Sequence, residues 1–145
     1  MQIEGNRPDR APTVDDRLLA EARLAAEQAY APYSKFRVGA AVLGGDGTVY
    51  RGANIENASY GLTLCAERAA LACAYAAGER AIVAIAVACI DAPQGAPLEE
   101  RMPCGACRQW MQELAPDAEV HILGAERAFR VAELLPMGFR IGGTG

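Results

Sequence analysis

No stretch of the chain approaches the ~20 uninterrupted apolar residues of a membrane-spanning helix, which leaves a membrane role without a sequence basis. No run of Lys or Arg forms a basic stripe either. With a formal net charge of −4, the chain advertises no polyanionic partner such as nucleic acid. There is no internal repeat, no low-complexity tract and no sign of a second domain. The segment Met1 to Asp16 is polar, carries Pro8 and Pro12, and lacks an apolar h-region. It therefore reads as a flexible lead-in, ending near residue 13, rather than as a signal peptide. Five cysteines is an odd number, and two of them have C-x-x-C spacing, which fits a reducing cytoplasm better than a disulfide framework. What is present is 145 residues, 52% of them hydrophobic, enough for one domain with a real core. That domain is expected over residues 14–140, with 141–145 as a short mobile tail.

Apolar residues Leu18, Leu19, Ala22, Ala25, Ala26 and Ala29 recur at helical spacing, so a helix is expected from Val14 to Tyr30, with Ala31-Pro32 ending it. Val38 to Leu43 and Thr48 to Ile55 read as two strands. Gly44-Gly45-Asp46-Gly47 between them signals a hairpin, because the primed turns need residues that tolerate positive φ. Cys65 to Ala77 is an Ala-rich helix stopped by Gly78. Ile82 to Ile90 is a continuous, β-branched apolar run, the mark of a strand buried on both faces. Asp91 to Met102 reads as a charged surface loop, and a helix is expected from about Cys104 to Leu114. Val120 to Leu123 and Ala128 to Val131 are short strands, and Ala132 to Leu135 is a last helical turn. The expected architecture is α/β, a three-layer α/β/α arrangement around a mixed sheet of about five strands.

The chemistry concentrates in two short stretches, Cys65-Ala66-Glu67-Arg68 and Pro103-Cys104-Gly105-Ala106-Cys107-Arg108. Cys104 and Cys107 are three apart, so in a first helical turn they point to one side, and Cys65 opens its own helix. Two helix N-termini then favour thiolates over thiols. Three thiolates can hold a zinc ion and leave its fourth tetrahedral position open, the arrangement of a catalytic site. Glu67 is a base for the water there. Arg68 and Arg108 each follow a ligand and could donate hydrogen bonds to sulfur, with Arg68 expected to matter more because it sits beside both ligand and base. A structural zinc site would need a fourth ligand. Cys73 lies two turns from Cys65, roughly 12 Å along the helix, Cys89 reads as a small buried hydrophobe, and His121 as a core or edge histidine.

These motifs resemble those of the zinc nucleoside and nucleobase deaminases. With Tyr33-Ser34-Lys35-Phe36, Val38-Gly39-Ala40-Ala41, Asn54-Ile55-Glu56-Asn57-Ala58 and Glu133-Leu134-Leu135-Pro136 added, the chain is similar over roughly Leu18 to Phe139 to the small, three-cysteine cytidine deaminases. The resemblance implies a five-stranded sheet flanked by helices, one zinc per subunit and a homotetramer. It implies zinc on Cys65, Cys104 and Cys107, and Glu67 as proton shuttle in converting cytidine to uridine, in salvage of pyrimidine nucleosides. By the same resemblance Phe36 and Ala66 would contact the substrate, and Asn54 and Glu56 would hold the ribose 3′-hydroxyl. Ala58 and Tyr60 from one neighbouring subunit, and Phe139 from another, would close the pocket. Asn54 and Glu56 also alternate along a strand end and can serve one hydroxyl as donor and acceptor.

Arg37 stands where many relatives carry proline, which adds a charge beside Phe36. A blasticidin S deaminase shares the zinc chemistry, but that antibiotic's sugar lacks the 3′-hydroxyl that Asn54 and Glu56 suit. Polynucleotide deaminases commonly use histidine as first ligand and need a positive surface, which a net charge of −4 opposes. A non-catalytic zinc-stabilised binding module is the remaining alternative, and it gives no reason for a base at Glu67.

Overall fold

The computed structural model describes residue 11 and residues 13–142. Most of the expected lead-in, and residues 143–145 of the expected tail, lie outside the described residues. Helix α1 (Val14–Ala26) starts with a reciprocal cap: Thr13 Oγ1 accepts from the Asp16 amide at 3.1 Å, and the Thr13 amide donates to Asp16 Oδ2 at 2.9 Å. The helix ends four residues before the expected Tyr30. The Tyr30 amide donates to the Asn54 carbonyl, and the Glu56 amide donates to the Tyr30 carbonyl, so this segment is drawn into a bridge instead.

β1 (Val38–Gly44) and β2 (Val49–Ala53) form the expected hairpin, and Gly47 supplies the positive φ of 89° at its turn. β2 is shorter than expected, because Ile55 pairs with Tyr30 and Leu64 outside the sheet. Helix α2 (Ala66–Ala76) leads to β3 (Ile82–Cys89), and helix α3 (Gly105–Leu114) leads to β4 (Glu119–Ile122). β5 (Phe129–Arg130) and α4 (Val131–Leu134) finish the fold. The expected loop from Asp91 to Met102 contains a 3₁₀ turn over Leu98–Arg101.

The five strands run in the order β2-β1-β3-β4-β5, antiparallel except for the parallel pair β3/β4. Strand alternation divides the core in two. Ala41, Ala84, Ala86 and Ala88 face Leu18 and Ala22 of α1. Ala40, Val42, Ile85, Val87, Val120 and Ile122 face the other way, against Ala70, Leu71 and Ala74 of α2 and Met111 of α3. Small residues on one face let α1 lie close, and branched residues fill the wider space under two helices. This is the expected α/β/α layering. It also puts α2 and α3 side by side, each preceding one strand of the parallel pair, so their N-termini meet at one end of the sheet.

Candidate active site and metal centre

Cys65 and Cys104 are the N-cap residues of α2 and α3, and Cys107 lies in the first turn of α3. The three sulfurs converge as the two motifs predict: Cys65 Sγ is 3.8 Å from Cys104 Sγ, and Cys104 Sγ is 3.5 Å from Cys107 Sγ. All three lie within 4.8 Å of one another. Zinc–thiolate bonds of about 2.3 Å at tetrahedral angles set sulfurs about 3.8 Å apart, so this donor set fits the ion. The set has no fourth protein ligand among the described residues. Cys73 is exposed on the far part of α2, and Cys89 turns its thiol to the Arg101 carbonyl at 3.8 Å, where burial pushes its pKa up to about 12. His121 lies in β4 and is buried, a core histidine.

Hydrogen bonding makes the sulfurs unequal. The Cys107 thiol and the Arg68 guanidinium donate to Cys65, which lowers the Cys65 pKa to about 5 despite partial burial. Cys107 is pushed up by that same bond and by its own burial. Arg68 Nη2 lies 3.3 Å from Cys65 Sγ and 3.4 Å from the Thr63 carbonyl oxygen. Arg108 does not share this role. Its Nε donates to the Pro103 carbonyl at 2.8 Å and its Nη1 to the Leu134 carbonyl at 2.8 Å, so it braces the loop before Cys104 against α4.

Glu67 is 4% exposed, in the first turn of α2. Burial raises its pKa to about 7, the neighbouring Cys65 thiolate adds to the rise, and the Cys107 thiol opposes it. A carboxyl in that range can both accept and return a proton near neutrality.

Beside this centre lies an open cleft of about 250 Å³, lined by Tyr33, Ser34, Glu56, Asn57, Tyr60 and Thr63. Thr63 links the two, because its carbonyl holds Arg68. Glu56 Oε1 accepts from the Tyr33 and Ser34 amides at 3.0 and 3.1 Å, and a hydrogen bond from the Ser34 side chain foremost, then these amide bonds, keep the carboxyl below its usual range. Asn54 is nearly buried and faces the backbone. Its Oδ1 accepts from the Val38 amide at 2.8 Å and its Nδ2 donates to the Phe36 carbonyl at 2.9 Å. Asn54 thus fixes the chain carrying half-buried Phe36, while one Nδ2 hydrogen remains for another acceptor. Ala66 is fully buried at the start of α2.

Within this one chain Tyr60 lines the same cleft as Glu56 and packs edge-on to Tyr33, ring centroids 6.2 Å apart. Ala58 and Phe139 are exposed. Three supports escaped the sequence reading. Gln109 and Gln112 both donate to the Phe139 carbonyl, at 2.9 and 2.8 Å, pinning the C-terminal segment to α3. Their i, i+3 spacing just after the C-x-x-C pair was the available signal. Asp91 holds Arg37 through both carboxylate oxygens and the Arg37 amide, which accounts for the charge at that position.

Residues 12–123 match the family model for the cytidine and deoxycytidylate deaminase zinc-binding region. The chain belongs to this family. It is 55% identical over 126 residues to a cytidine deaminase of Halalkalibacterium halodurans, covering 84% of this chain and 91% of the relative. A cytidine deaminase of Mycobacterium tuberculosis is 45% identical, covering 88% of this chain and 92% of the relative. Among solved structures, the cytidine deaminase from Burkholderia pseudomallei matches with a TM-score of 0.78 at 46% identity, over 88% of this chain and 100% of that one. The mixed five-stranded sheet and its flanking helices are therefore the fold of this family, and zinc is its metal. No helix among the described residues is long and apolar enough to cross a membrane.

Proposed function

We propose that this protein hydrolytically deaminates cytidine, and 2′-deoxycytidine, to the uracil nucleoside and ammonia, with zinc held by Cys65, Cys104 and Cys107. The observation that carries the reading is a buried carboxyl, Glu67, beside three convergent sulfurs with no fourth protein ligand among the described residues. Bound zinc supplies a Lewis acid that makes water acidic enough to lose a proton near neutral pH.

Glu67 takes that proton and delivers it to ring N3 as water oxygen bonds to C4. The resulting tetrahedral carbon loses its amino group as ammonia, and Glu67 carries the second proton to the leaving nitrogen. Arg68 offsets the negative charge of three thiolates by donating to Cys65. Phe36, Asn54, Glu56 and Ala66 hold the nucleoside. The Tyr33 and Ser34 amides orient the Glu56 carboxylate, which lines the open cleft and suits a sugar hydroxyl. The low pKa of Glu56 keeps it an acceptor.

The reading extends to a homotetramer whose pockets are closed by neighbouring subunits, acting in the cytoplasm in salvage of free pyrimidine nucleosides. Tyr60, Leu62, Met137 and Phe139, all large and exposed, support association. Full activity in a dilute monomer would overturn the shared pocket. For the reaction itself, the test is the ultraviolet absorbance change with cytidine, beside blasticidin S and a Glu67→Gln control. Conversion of cytidine that vanishes in the control is expected. Conversion of blasticidin S alone overturns the nucleoside assignment, and silence on both with zinc bound makes the protein a binding module.

A further inference from the structure

A second cluster of metal-ligating side chains lies on the opposite face of the sheet from the cysteines. Strand alternation turns Glu119 and His121 of β4 toward α1, since they register with Ala84 and Ala86 of the α1-facing core. Asp15, in the first turn of α1, meets them there. One ligand atom from each of Asp15, Glu119 and His121 lies within 4.8 Å of the others.

The histidine makes this more than a pair of surface carboxylates. Its side chain is only 9% exposed, and its Nε2 lies 3.3 Å from Asp15 Oδ1 and 3.5 Å from Glu119 Oε2. Neither approach closes a hydrogen bond, and Nε2 is fully buried without a hydrogen-bond partner among the described residues. Buried polar atoms are normally paired, so an orphaned imidazole nitrogen aimed at two carboxylates asks for an explanation. Both carboxylates stay half-exposed or more, so an ion with its own water can reach them. They border an open hollow of about 250 Å³. The nearest basic side chain of that hollow, Arg127, is engaged elsewhere: it bonds Glu133 at 3.0 Å and lies over the Phe129 ring.

We propose that Asp15, Glu119 and His121 form a second metal site, which takes a divalent first-row transition cation such as zinc. The imidazole selects such ions over magnesium and calcium, and the oxygen donors disfavour soft monovalent ones. Water completes the coordination shell. The bound ion ties the first turn of α1 to β4, whose ligands are 104 and 106 positions away in the chain, so its effect is on stability rather than on turnover.

The experiment begins with protein already carrying one zinc at the three cysteines, dialysed against micromolar Zn²⁺ and assayed for bound metal and melting temperature. Two zinc ions per chain and a rise in melting temperature are expected, with cytidine turnover unaffected. His121→Gln should return the stoichiometry to one and abolish the rise. Because His121 is buried, Asp15→Asn and Glu119→Gln serve as independent variants at exposed positions, and each should weaken the second zinc at least tenfold. Wild-type protein that stops at one zinc, or a second zinc retained at full strength by the two carboxamide variants, overturns the proposal.

Discussion

Gly52→Ala tests how the sheet sets the position of α2, the helix whose N-cap is Cys65 and which carries Glu67. Gly52 registers with Ala40, so it faces α2, where the backbones of strand and helix touch. A Cβ at residue 52 would fall 2.5 Å from the Ala66 carbonyl oxygen, 3.0 Å from the Ala69 carbonyl carbon and closer still to the Ala70 amide nitrogen. Ordinary contact begins near 3.4 Å, so strand and helix must part by about 1 Å, and the obstacle is backbone that cannot rotate away. Overpacking of this kind costs about 2–3 kcal/mol. For a chain of this size that lowers the melting temperature by roughly 5–10 °C. The displaced turn carries Cys65 and Glu67, and misplacement of catalytic groups by about 1 Å can cost about 100-fold in rate. The assays are thermal melting, zinc content and cytidine turnover, with Gly61→Ala as a control whose Cβ meets nothing within 4 Å. A melting temperature unchanged in Gly52→Ala would refute the packing. A lowered one with unaltered turnover would show that β2 yields rather than α2, and would break the link to catalysis.

Glu67→Gln should keep zinc and melt no lower than wild type, since an amide replaces a buried acid, while turnover falls by about 10²–10⁴; near-normal turnover would mean another group moves the proton. Arg68→Gln removes the donor to Cys65, and zinc affinity measured against a chelator should drop about 10–100-fold, whereas Arg108→Gln should affect stability without that loss. Glu56→Gln should slow nucleosides bearing a 3′-hydroxyl far more than a 3′-deoxy analogue, and equal losses on both would remove the contact. Asp91 is held at about 2 by Arg37, below its usual value of 3.8. A lowered folded-state pKa gives stability that is present above the unfolded pKa and lost as pH falls toward the folded one. Asp91→Asn should therefore melt lower than wild type above about pH 4, and the gap should close below it.

Local chemistry was legible wherever neighbours in the chain decide it. The spacing of Cys104 and Cys107 puts both at the start of a helix, the glycines between β1 and β2 mark a turn, and the apolar run before Ile90 becomes the central strand. Boundaries were less legible where distant segments compete for a backbone. The helix predicted to Tyr30 stops at Ala26, its chain passes through a turn, and Asn54 and Glu56 take Tyr30 into a bridge. Residue type alone gave Arg68 and Arg108 the same choice of partners. The fold sends one to a sulfur and the other to two carbonyls.

By itself, then, the sequence determined the class of chemistry, because thiolates, a carboxylate and helix starts at fixed spacing suit few tasks besides holding zinc with a base beside it. Tertiary structure alone decided which groups meet across the chain. The parallel pair β3/β4 brings the caps of α2 and α3 together, so that Cys65 lies 3.8 Å from Cys104. The packing of α1 on the alanine face of the sheet sets Asp15 against Glu119 and His121. Nothing in the local pattern of residues 119–121 could reveal that encounter, since it depends on the direction in which a helix over a hundred residues earlier crosses the sheet.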